Sequence, residues 1–401
     1  MHSRQEAIGS KRHARAGRRC GAIACGTGMA IAVVTGVAGP PAMAQGRGAV
    51  VTAPGAGSSA NIDYAGAQAL SLPMAATPPP SLRDVLLGPW PQGSATGTPG
   101  GSPGRAGDGQ PSPLTLAPPR ALATADGGNA QPEEFGTAGQ PYTTSRVNAQ
   151  GDFTGRHYPY SAVGKLFFNI GSSTYLCSAS LIKRGIVVTA AHCVANFGRQ
   201  QFYSNWRFVP AYNNGKAPYG TWTAQTATVL TAYYNGSDPC AQTGVICQDD
   251  VALITLAPQS GVYAGTRTGW LGYGWNGYSY NGAGQVQIGQ IGYPVALDSG
   301  ALQERTDSQG FTAASLSNNT IIGSLQTGGS SGGPWTVNLG LQPVLAGTSF
   351  GSAADHNIVV GVTSWGYIDG SVKQQGASRF TTGNITVLLS AVCGATPAAC
   401  S

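Results

Sequence analysis

Charged side chains are scarce in this chain of 401 residues, where Asp, Glu, Lys and Arg together make up only 9%. The formal net charge is +6, but residues 1–44 hold six basic residues and one acid, so about +1 remains for everything that follows. Without a basic patch in that remainder, we expect no nucleic-acid partner. A surface kept soluble by Ser, Thr, Asn, Gln and Tyr is typical of extracellular proteins.

Long apolar runs are also scarce. An apolar stretch near the amino terminus predicts a secretory signal at residues 1–44. A basic stretch ends at Arg19, a Gly- and Ala-rich apolar stretch follows, and Ala42-Met43-Ala44 has the small-x-small pattern of a cleavage site. A membrane helix is the alternative, but the apolar stretch is short and runs into Pro40-Pro41. We expect cleavage before Gln45, export to the extracellular or periplasmic space, and no stable membrane insertion. The export route stays open.

Two regions of different composition follow the signal. Residues 45–141 are rich in Gly, Pro, Ala, Ser and Thr and contain few large apolar residues to bury, so we predict a mostly disordered pro-segment or linker. From residue 142 to 401, short β-branched and aromatic runs alternate with Gly, Asn and Ser. Many short strands at close spacing predict an all-β barrel or sandwich domain over 142–401, with a last apolar run at 385–392 that could form a helix.

Cysteine spacing argues against a metal site. No Cys-x-x-Cys pair occurs, and beyond residue 44 the only histidines are His157, His192 and His356, so we predict neither a metal nor another cofactor. Six cysteines remain after the signal, and an even number in an exported chain indicates disulfides. Fifteen pairings are possible, and sequence order suggests the three local ones: Cys177–Cys193, Cys240–Cys247 and Cys393–Cys400.

The run Thr327-Gly328-Gly329-Ser330-Ser331-Gly332-Gly333-Pro334 is the first candidate for chemistry. Glycines around a serine let the backbone turn tightly, so that successive N–H groups can point into one space and hold an oxyanion. A Gly/Ser-rich surface loop is the alternative, because the chain contains 60 glycines.

Two upstream motifs favour catalysis over a surface loop. His192 follows the apolar run at 186–188 and two alanines, which leave room for an imidazole in a tight turn. Asp250 directly precedes the apolar run at 251–254, and an aspartate beside a buried strand needs hydrogen-bond partners. Orienting a histidine would supply them. Asp249 is the competing carboxylate, and a strand-capping aspartate is the structural alternative.

These motifs resemble those of the trypsin/chymotrypsin-like serine peptidases, and of bacterial secreted members such as the glutamyl endopeptidases. Thr-Ala-Ala-His192-Cys, Asp250-Val-Ala-Leu, Ser331-Gly-Gly-Pro and Ser364-Trp-Gly occur in the family's order along residues 142–401. The resemblance implies two six-stranded antiparallel β-barrels with the active site in the cleft between them.

The resemblance also implies roles. Ser331 is expected to be the nucleophile, His192 the general base and then acid, and Asp250 the residue that orients His192. The N–H groups of Gly329 and Ser331 are expected to form the oxyanion hole. Substrate backbone is expected to pair with Ser364, Trp365 and Gly366, and Cys177–Cys193 matches the family's disulfide beside the histidine.

Two departures from the family bear on activation and specificity. Ser330 stands where trypsins have the aspartate that receives a new N-terminal ammonium, so we expect activation not to use that ion pair. Leu325 stands where trypsins have the aspartate that selects Lys or Arg, so a basic preference is not expected. With Gln326, Thr327 and Thr363 as the other expected lining residues, the pocket is predicted to be uncharged.

Three function classes follow from this sequence. The leading one is a secreted, monomeric serine endopeptidase that acts on protein or peptide substrates through an acyl-enzyme. The others are a catalytically silent surface-binding module of the same fold and an esterase with the same three residues. All three positions are filled, which disfavours the silent module.

Overall fold

Short apolar runs bounded by turn residues form strands along most of the chain. The computed structural model describes seven stretches, 49–55, 61–76, 97–122, 135–148, 154–312, 318–340 and 355–401, and the predicted signal at 1–44 lies outside them. Residues Gln45–Ser401 form one compact unit. Within the described stretches, no helix combines the length and apolar character needed to cross a membrane.

Twenty strands occur in the described residues. The first five are β1 (Val50–Pro54), β2 (Gln68–Ala69), β3 (Met74–Ala75), β4 (Gly100–Ser102) and β5 (Tyr142–Arg146). The next eight are β6 (Val163–Ile170), β7 (Ser173–Lys183), β8 (Ile186–Thr189), β9 (Ala195–Asn196), β10 (Gln201–Phe202), β11 (Ser204–Pro210), β12 (Trp222–Leu230) and β13 (Ala252–Leu256). The last seven are β14 (Gly272–Trp275), β15 (Gln285–Gly292), β16 (Glu304–Phe311), β17 (Asn319–Gly323), β18 (Pro334–Val337), β19 (Ile358–Tyr367) and β20 (Gln374–Arg379).

Six of these strands close the first barrel in the order β6, β7, β8, β13, β12 and β11, with β11 pairing back to β6. All six pairings are antiparallel. Strands β8 and β13 are buried along their whole length, as their unbroken apolar runs predict. Closure pairs every strand of this barrel with two neighbours and encloses a core that includes Leu166, Val187 and Ile254.

The second barrel closes in the same way, in the order β15, β16, β17, β20, β19 and β18, with β18 pairing back to β15. Its core includes Ile288, Ile322 and Trp335. The predicted all-β architecture of two six-stranded antiparallel barrels is therefore confirmed.

The α-helices of the described stretches are short: α1 (Thr231–Asn235), α2 (Ala264–Thr268) and α3 (Ile385–Ala395). The predicted C-terminal helix is α3, and it packs on the first barrel against β12 and β13. Its amino end is capped by the side chain of Asn384, whose Oδ1 accepts from the N–H of Ile385 at 2.6 Å. The disulfides join Cys177–Cys193, Cys240–Cys247 and Cys393–Cys400, the three pairs that sequence order suggests.

Parts of residues 45–141 differ from the expected disordered linker. Strand β1 pairs antiparallel with β12, β4 with β14, and β2 and β3 join the two barrel sheets as parallel edge pairs. Main-chain hydrogen bonds to exposed edges hold these stretches, whereas the composition argument considered only apolar side chains that could be buried. An edge can accept a segment of almost any composition except one rich in proline at the pairing positions.

Candidate active site

The strand register brings the two candidate residues of the first barrel together. In the β8–β13 pair, Ala252 lies opposite Thr189. Asp250 lies two residues before this pair on one strand, and His192 lies three residues after it on the other. Because the strands are antiparallel, both residues emerge at the same end of the barrel. The His192 turn is a single 3-10 turn, Ala191–Cys193, which the disulfide to Cys177 ties back to β7.

His192 and Asp250 make two hydrogen bonds to each other. Nδ1 of His192 lies 2.7 Å from Oδ2 of Asp250, and the backbone N–H of His192 donates to Oδ1 at 2.8 Å. The two side chains are only 9% and 3% exposed. An ionised carboxylate that accepts from Nδ1–H fixes the imidazole tautomer with Nε2 free to accept a proton. The pair therefore has the geometry of an oriented base.

Ser364 completes the environment of that carboxylate from the second barrel. Its hydroxyl donates to Oδ2 of Asp250 at 2.6 Å, and the residue is fully buried on β19. We expected Ser364 to bind substrate through its backbone, and sequence reasoning did not foresee this side-chain bond. A carboxylate with three hydrogen bonds is satisfied in a buried site.

The glycines around Ser331 are required by close backbone approaches. Gly332 has a φ of +75°, and a Cβ there would lie 2.0 Å from Oγ1 of Thr189 and 2.5 Å from the carbonyl oxygen of Ser178. Gly329 has a φ of +91°, and a Cβ there would lie 2.5 Å from the carbonyl oxygen of Tyr293. The run is therefore a tight turn packed against β7 and β8, and not an open surface loop.

Ser331 is held between the two barrels by main-chain bonds. Its carbonyl accepts from the N–H of Ser178 on β7 at 2.7 Å, and the next N–H, that of Gly332, donates to Thr363 on β19 at 2.8 Å. Oγ of Ser331 and Nε2 of His192 are both buried, and neither has a hydrogen-bond partner among the residues that the structure describes. Two unpaired polar atoms, one a hydroxyl and one a ring nitrogen, thus occur where the barrels meet.

The carboxyl group of Asp238 lies near this site, and its pKa is raised. Burial, followed by the charge of Asp249, raises the pKa of Asp238 to about 8. Oδ2 of Asp238 accepts from the N–H of Asp249 at 2.9 Å. Since Asp238 is neutral below that pH, it adds little negative charge beside Asp250.

A cavity of about 480 Å³ lies beside the Ser331 turn. Of the expected lining residues, Leu325, Gln326 and Thr327 line it, and so does Gly366, which was expected to pair with the substrate backbone. Among its described lining residues, the one charged side chain is Lys373, which the sequence did not single out. The pocket predicted to be uncharged thus has a cationic residue in its wall.

The remaining expected pocket residue, Thr363, does not line this cavity. Oγ1 of Thr363 accepts from the indole N–H of Trp335 at 2.9 Å and is buried in the second barrel. The indole N–H of Trp365 donates to Oδ1 of Asn319 at 2.8 Å. Ser330 donates to the carbonyl of Thr327 at 2.7 Å and accepts from the amide of Gln375 at 3.4 Å, so neutral groups surround the position where trypsins have an aspartate.

Two clusters with metal-ligand atoms contain disulfide cysteines. One comprises Cys177, His192 and Cys193, and the other Asp238, Cys240 and Cys247. A cysteine binds a metal as the thiolate, and the cysteine sulfurs of these clusters are bonded to each other in disulfides.

The N–H of Gly329, expected in an oxyanion hole, donates to the carbonyl of Leu70 at 3.2 Å. Leu70 belongs to the segment predicted to be a linker, and sequence reasoning gave no sign that it reaches this site. Ser178 was missed as well: its hydroxyl donates to the carbonyl of Gly329 at 2.8 Å and accepts from the N–H of Tyr293 at 3.0 Å. A lone serine within a strand carries no local signal of such a role.

The family model for trypsin matches residues 153–383, which is more than half of the chain. The chain belongs to the trypsin family of serine proteases. Membership of this family confirms the resemblance seen in the sequence motifs and makes proteins the expected substrates. No curated protein is significantly similar to the chain.

Three solved structures illustrate what this trypsin-family chain is similar to. The protease Anisep from Arthrobacter nicotinovorans is 25% identical over 60% of this chain and 96% of its own, with a TM-score of 0.45. The thermostable serine protease AL20, from an extremophilic microorganism, is 23% identical over 56% and 93%, with a TM-score of 0.43. A Glu endopeptidase is 19% identical over 62% and 95%, with a TM-score of 0.45. With all three scores below 0.5, the fold assignment rests on the strand topology and the family match.

Proposed function

We propose that this protein is a secreted serine endopeptidase in which Ser331 attacks the scissile carbonyl. His192 takes the hydroxyl proton through Nε2 and later returns it to the leaving amine, and Asp250 holds the imidazole in the required tautomer. The observation that carries the proposal is the buried contact between Nδ1 of His192 and Oδ2 of Asp250 at 2.7 Å. It leaves Nε2 as the ring nitrogen that can accept the hydroxyl proton of the nucleophilic serine.

The position of Ser331 supports its role as the nucleophile. The carbonyl of Ser331 accepts from the N–H of Ser178 on β7, and the N–H of Gly332 donates to the carbonyl of Thr363 on β19. Ser178 follows Cys177, which is joined to Cys193 beside the histidine, and Thr363 precedes Ser364, which donates to Asp250. One side of the turn is therefore bonded next to the disulfide of Cys193, and the other side is bonded next to the residue that donates to Asp250.

The oxyanion of the tetrahedral intermediate requires donors fixed before the reaction. In the proposal these are the N–H groups of Gly329 and Ser331, in a turn where a Cβ at Gly329, Gly332 or Gly333 would clash with neighbouring atoms. One such donor lowers the barrier by about 3 kcal/mol. The acyl-enzyme then forms on Oγ of Ser331 and is released by water, which His192 activates in the same way.

A fluorophosphonate probe tests the assignment directly. We expect Ser331 to be labelled once limited proteolysis has opened the site, and Ser331→Ala to abolish labelling. Ser330→Ala is the matched control, because the adjacent hydroxyl bonds to the carbonyl of Thr327 and its loss leaves the proposed nucleophile in place. Absence of labelling under every condition would favour a catalytically silent binding module.

Turnover separates the two enzymatic readings that share this site. We expect hydrolysis of peptide amides as well as simple esters. Ester hydrolysis without any peptide hydrolysis would instead indicate an esterase. Mass spectrometry of the exported protein tests the export part of the proposal, which expects an amino terminus at or beyond Gln45.

A further inference from the structure

One stretch of the amino-terminal region runs along both barrels at the candidate site. Strand β2 pairs parallel with β7, placing Ala69 opposite Leu176, and the N–H of Leu70 donates to the carbonyl of Leu176 at 3.0 Å. Strand β3 pairs parallel with β19, placing Met74 opposite Gly366. A segment of eight residues, 68–75, therefore bridges from one barrel to the other across the Ser331 turn.

This segment uses the hydrogen-bonding groups that a bound peptide would need. The carbonyl of Leu70 accepts from the N–H of Gly329 at 3.2 Å, and the carbonyl of Pro73 accepts from the N–H of Gly366 at 3.0 Å. The first donor belongs to the proposed oxyanion hole and the second to the strand expected to pair with substrate. Neither donor is available to another peptide while these bonds persist.

Leu72 fixes the middle of the segment by its side chain. It is 6% exposed, and a Cβ built on Gly366 would lie 3.6 Å from its Cδ1. Leu72, Ser71 and Met74 also form part of the wall of the 480 Å³ cavity. The segment thus forms one wall of the cavity beside the Ser331 turn, and Ser331 itself has no exposed surface.

We infer that residues 68–75 bind in the substrate groove as a peptide ligand supplied by the chain itself, and thereby hold the peptidase latent until the segment is displaced or removed. The latency follows only from the proposed function, whereas the binding of residues 68–75 in the groove does not depend on it. Strand addition through main-chain bonds is a general mode of peptide recognition. Covalent attachment gives such a ligand an effective concentration on the order of millimolar, which competes well with a dilute substrate.

The direct test is Leu72→Asp in the full chain. A carboxylate at this buried position is costly, so the segment should leave the groove, and kcat/KM for a peptide substrate should rise by at least about tenfold. Leu122→Asp is the matched control, because Leu122 is 40% exposed in the same amino-terminal region and its replacement should change nothing. A synthetic peptide of residues 61–76 should inhibit Leu72→Asp, and a scrambled peptide should not.

A second variant keeps residues 68–75 unchanged, so the chain folds with its own segment in place. A recognition site for a sequence-specific peptidase is inserted between Pro80 and Gly97, and the folded chain is cut there. Activity should rise as the amino-terminal fragment dissociates. Full peptidase activity before the cut, equal to that after it, would overturn the inference.

Amide exchange distinguishes failure of this inference from failure of the proposed function. In a Ser331→Ala background, the N–H groups of Gly329 and Gly366 should be protected in the full chain and exchange faster when Leu72→Asp is added. Rapid exchange of both amides without that change would overturn the inference, whatever the activity. Protection that Leu72→Asp relieves, combined with no hydrolysis by the Ser331 enzyme, would instead refute the peptidase assignment and leave the segment's binding established.

Discussion

Oδ2 of Asp250 receives the hydroxyl of Ser364 at 2.6 Å and faces Nδ1 of His192 at 2.7 Å. Asp250 and His192 belong to the first barrel, whereas Ser364 lies on β19 of the second. One carboxylate oxygen therefore joins the two barrels at the candidate site. The same pair of hydrogen bonds therefore orients the imidazole and contributes to the contact between the barrels.

Replacing Asp250 with Asn tests the orientation of the imidazole. The amide keeps the size of the carboxylate but presents an NH₂ group that cannot accept from both Nδ1–H and the Ser364 hydroxyl. The imidazole then favours the wrong tautomer, and kcat should fall by about 10⁴-fold. Steady-state kinetics on a peptide substrate, with titration of active sites, provides the measurement. Asp249→Asn serves as the control, and a comparable loss in that variant would mean that the wrong aspartate has been assigned.

Replacing Ser364 with Ala isolates the bond between the barrels. A hydrogen bond to a charged group contributes about 1.5–3 kcal/mol, so kcat should fall by roughly tenfold to a hundredfold. KM should change little, because the backbone of Ser364 is retained. Ser378→Ala removes another buried hydroxyl of the second barrel, which donates to the carbonyl of Cys247 at 2.9 Å. Equal effects of both variants on kcat would show that Ser364 has only a structural role.

Replacing Gly332 with Ala tests the packing of the Ser331 turn. The new methyl group would lie 2.0 Å from Oγ1 of Thr189 at a φ of +75°, so the free energy of unfolding should fall by more than about 2 kcal/mol. Gly171 has a φ of +60° with nothing within 4 Å. Gly171→Ala should therefore cost only the backbone term of about 1 kcal/mol. Urea unfolding of the two variants measures the difference, and similar costs would refute the close approach at Gly332.

Replacing Lys165 with Met tests how a buried amine affects the pH dependence of stability. Burial lowers the pKa of Lys165 to about 7 from 10.5, although contact with the ring of Tyr212, 4.1 Å from Nζ to the centroid, favours the charged form. Between pH 7 and pH 10.5 the unfolded chain holds a proton that the folded chain lacks. The free energy of unfolding should therefore increase with pH across this window, by about 5 kcal/mol.

The two replacements at Lys165 separate charge from shape. Lys165→Met should remove this increase and raise stability at pH 7, and Lys165→Arg should also remove it but lower stability throughout, because the guanidinium stays charged. Denaturant unfolding at several pH values gives these slopes. A slope that is unchanged in Lys165→Met would exclude Lys165 as its source.

Local signals in the sequence determined much of this protein. Short strands and turn residues predicted an all-β barrel or sandwich domain over 142–401, and sequence order suggested the three disulfides. The motifs at His192, Asp250 and Ser331 were sufficient to recognise the family, and that resemblance implied the two barrels. These features depend on residues within a few positions of one another, and so they can be read without a fold.

Tertiary structure alone decided the features that depend on distant partners. The bond from Ser364 to Asp250, the buried orientation of Thr363, the presence of Lys373 in the cavity wall and the passage of residues 68–75 along the groove all arise when two closed barrels meet. Main-chain hydrogen bonds to a sheet edge place few demands on side chains, so a Gly- and Pro-rich segment carries no sequence mark of the edge that it will join. Composition could exclude a core of its own for that segment, but it could not show where the segment binds.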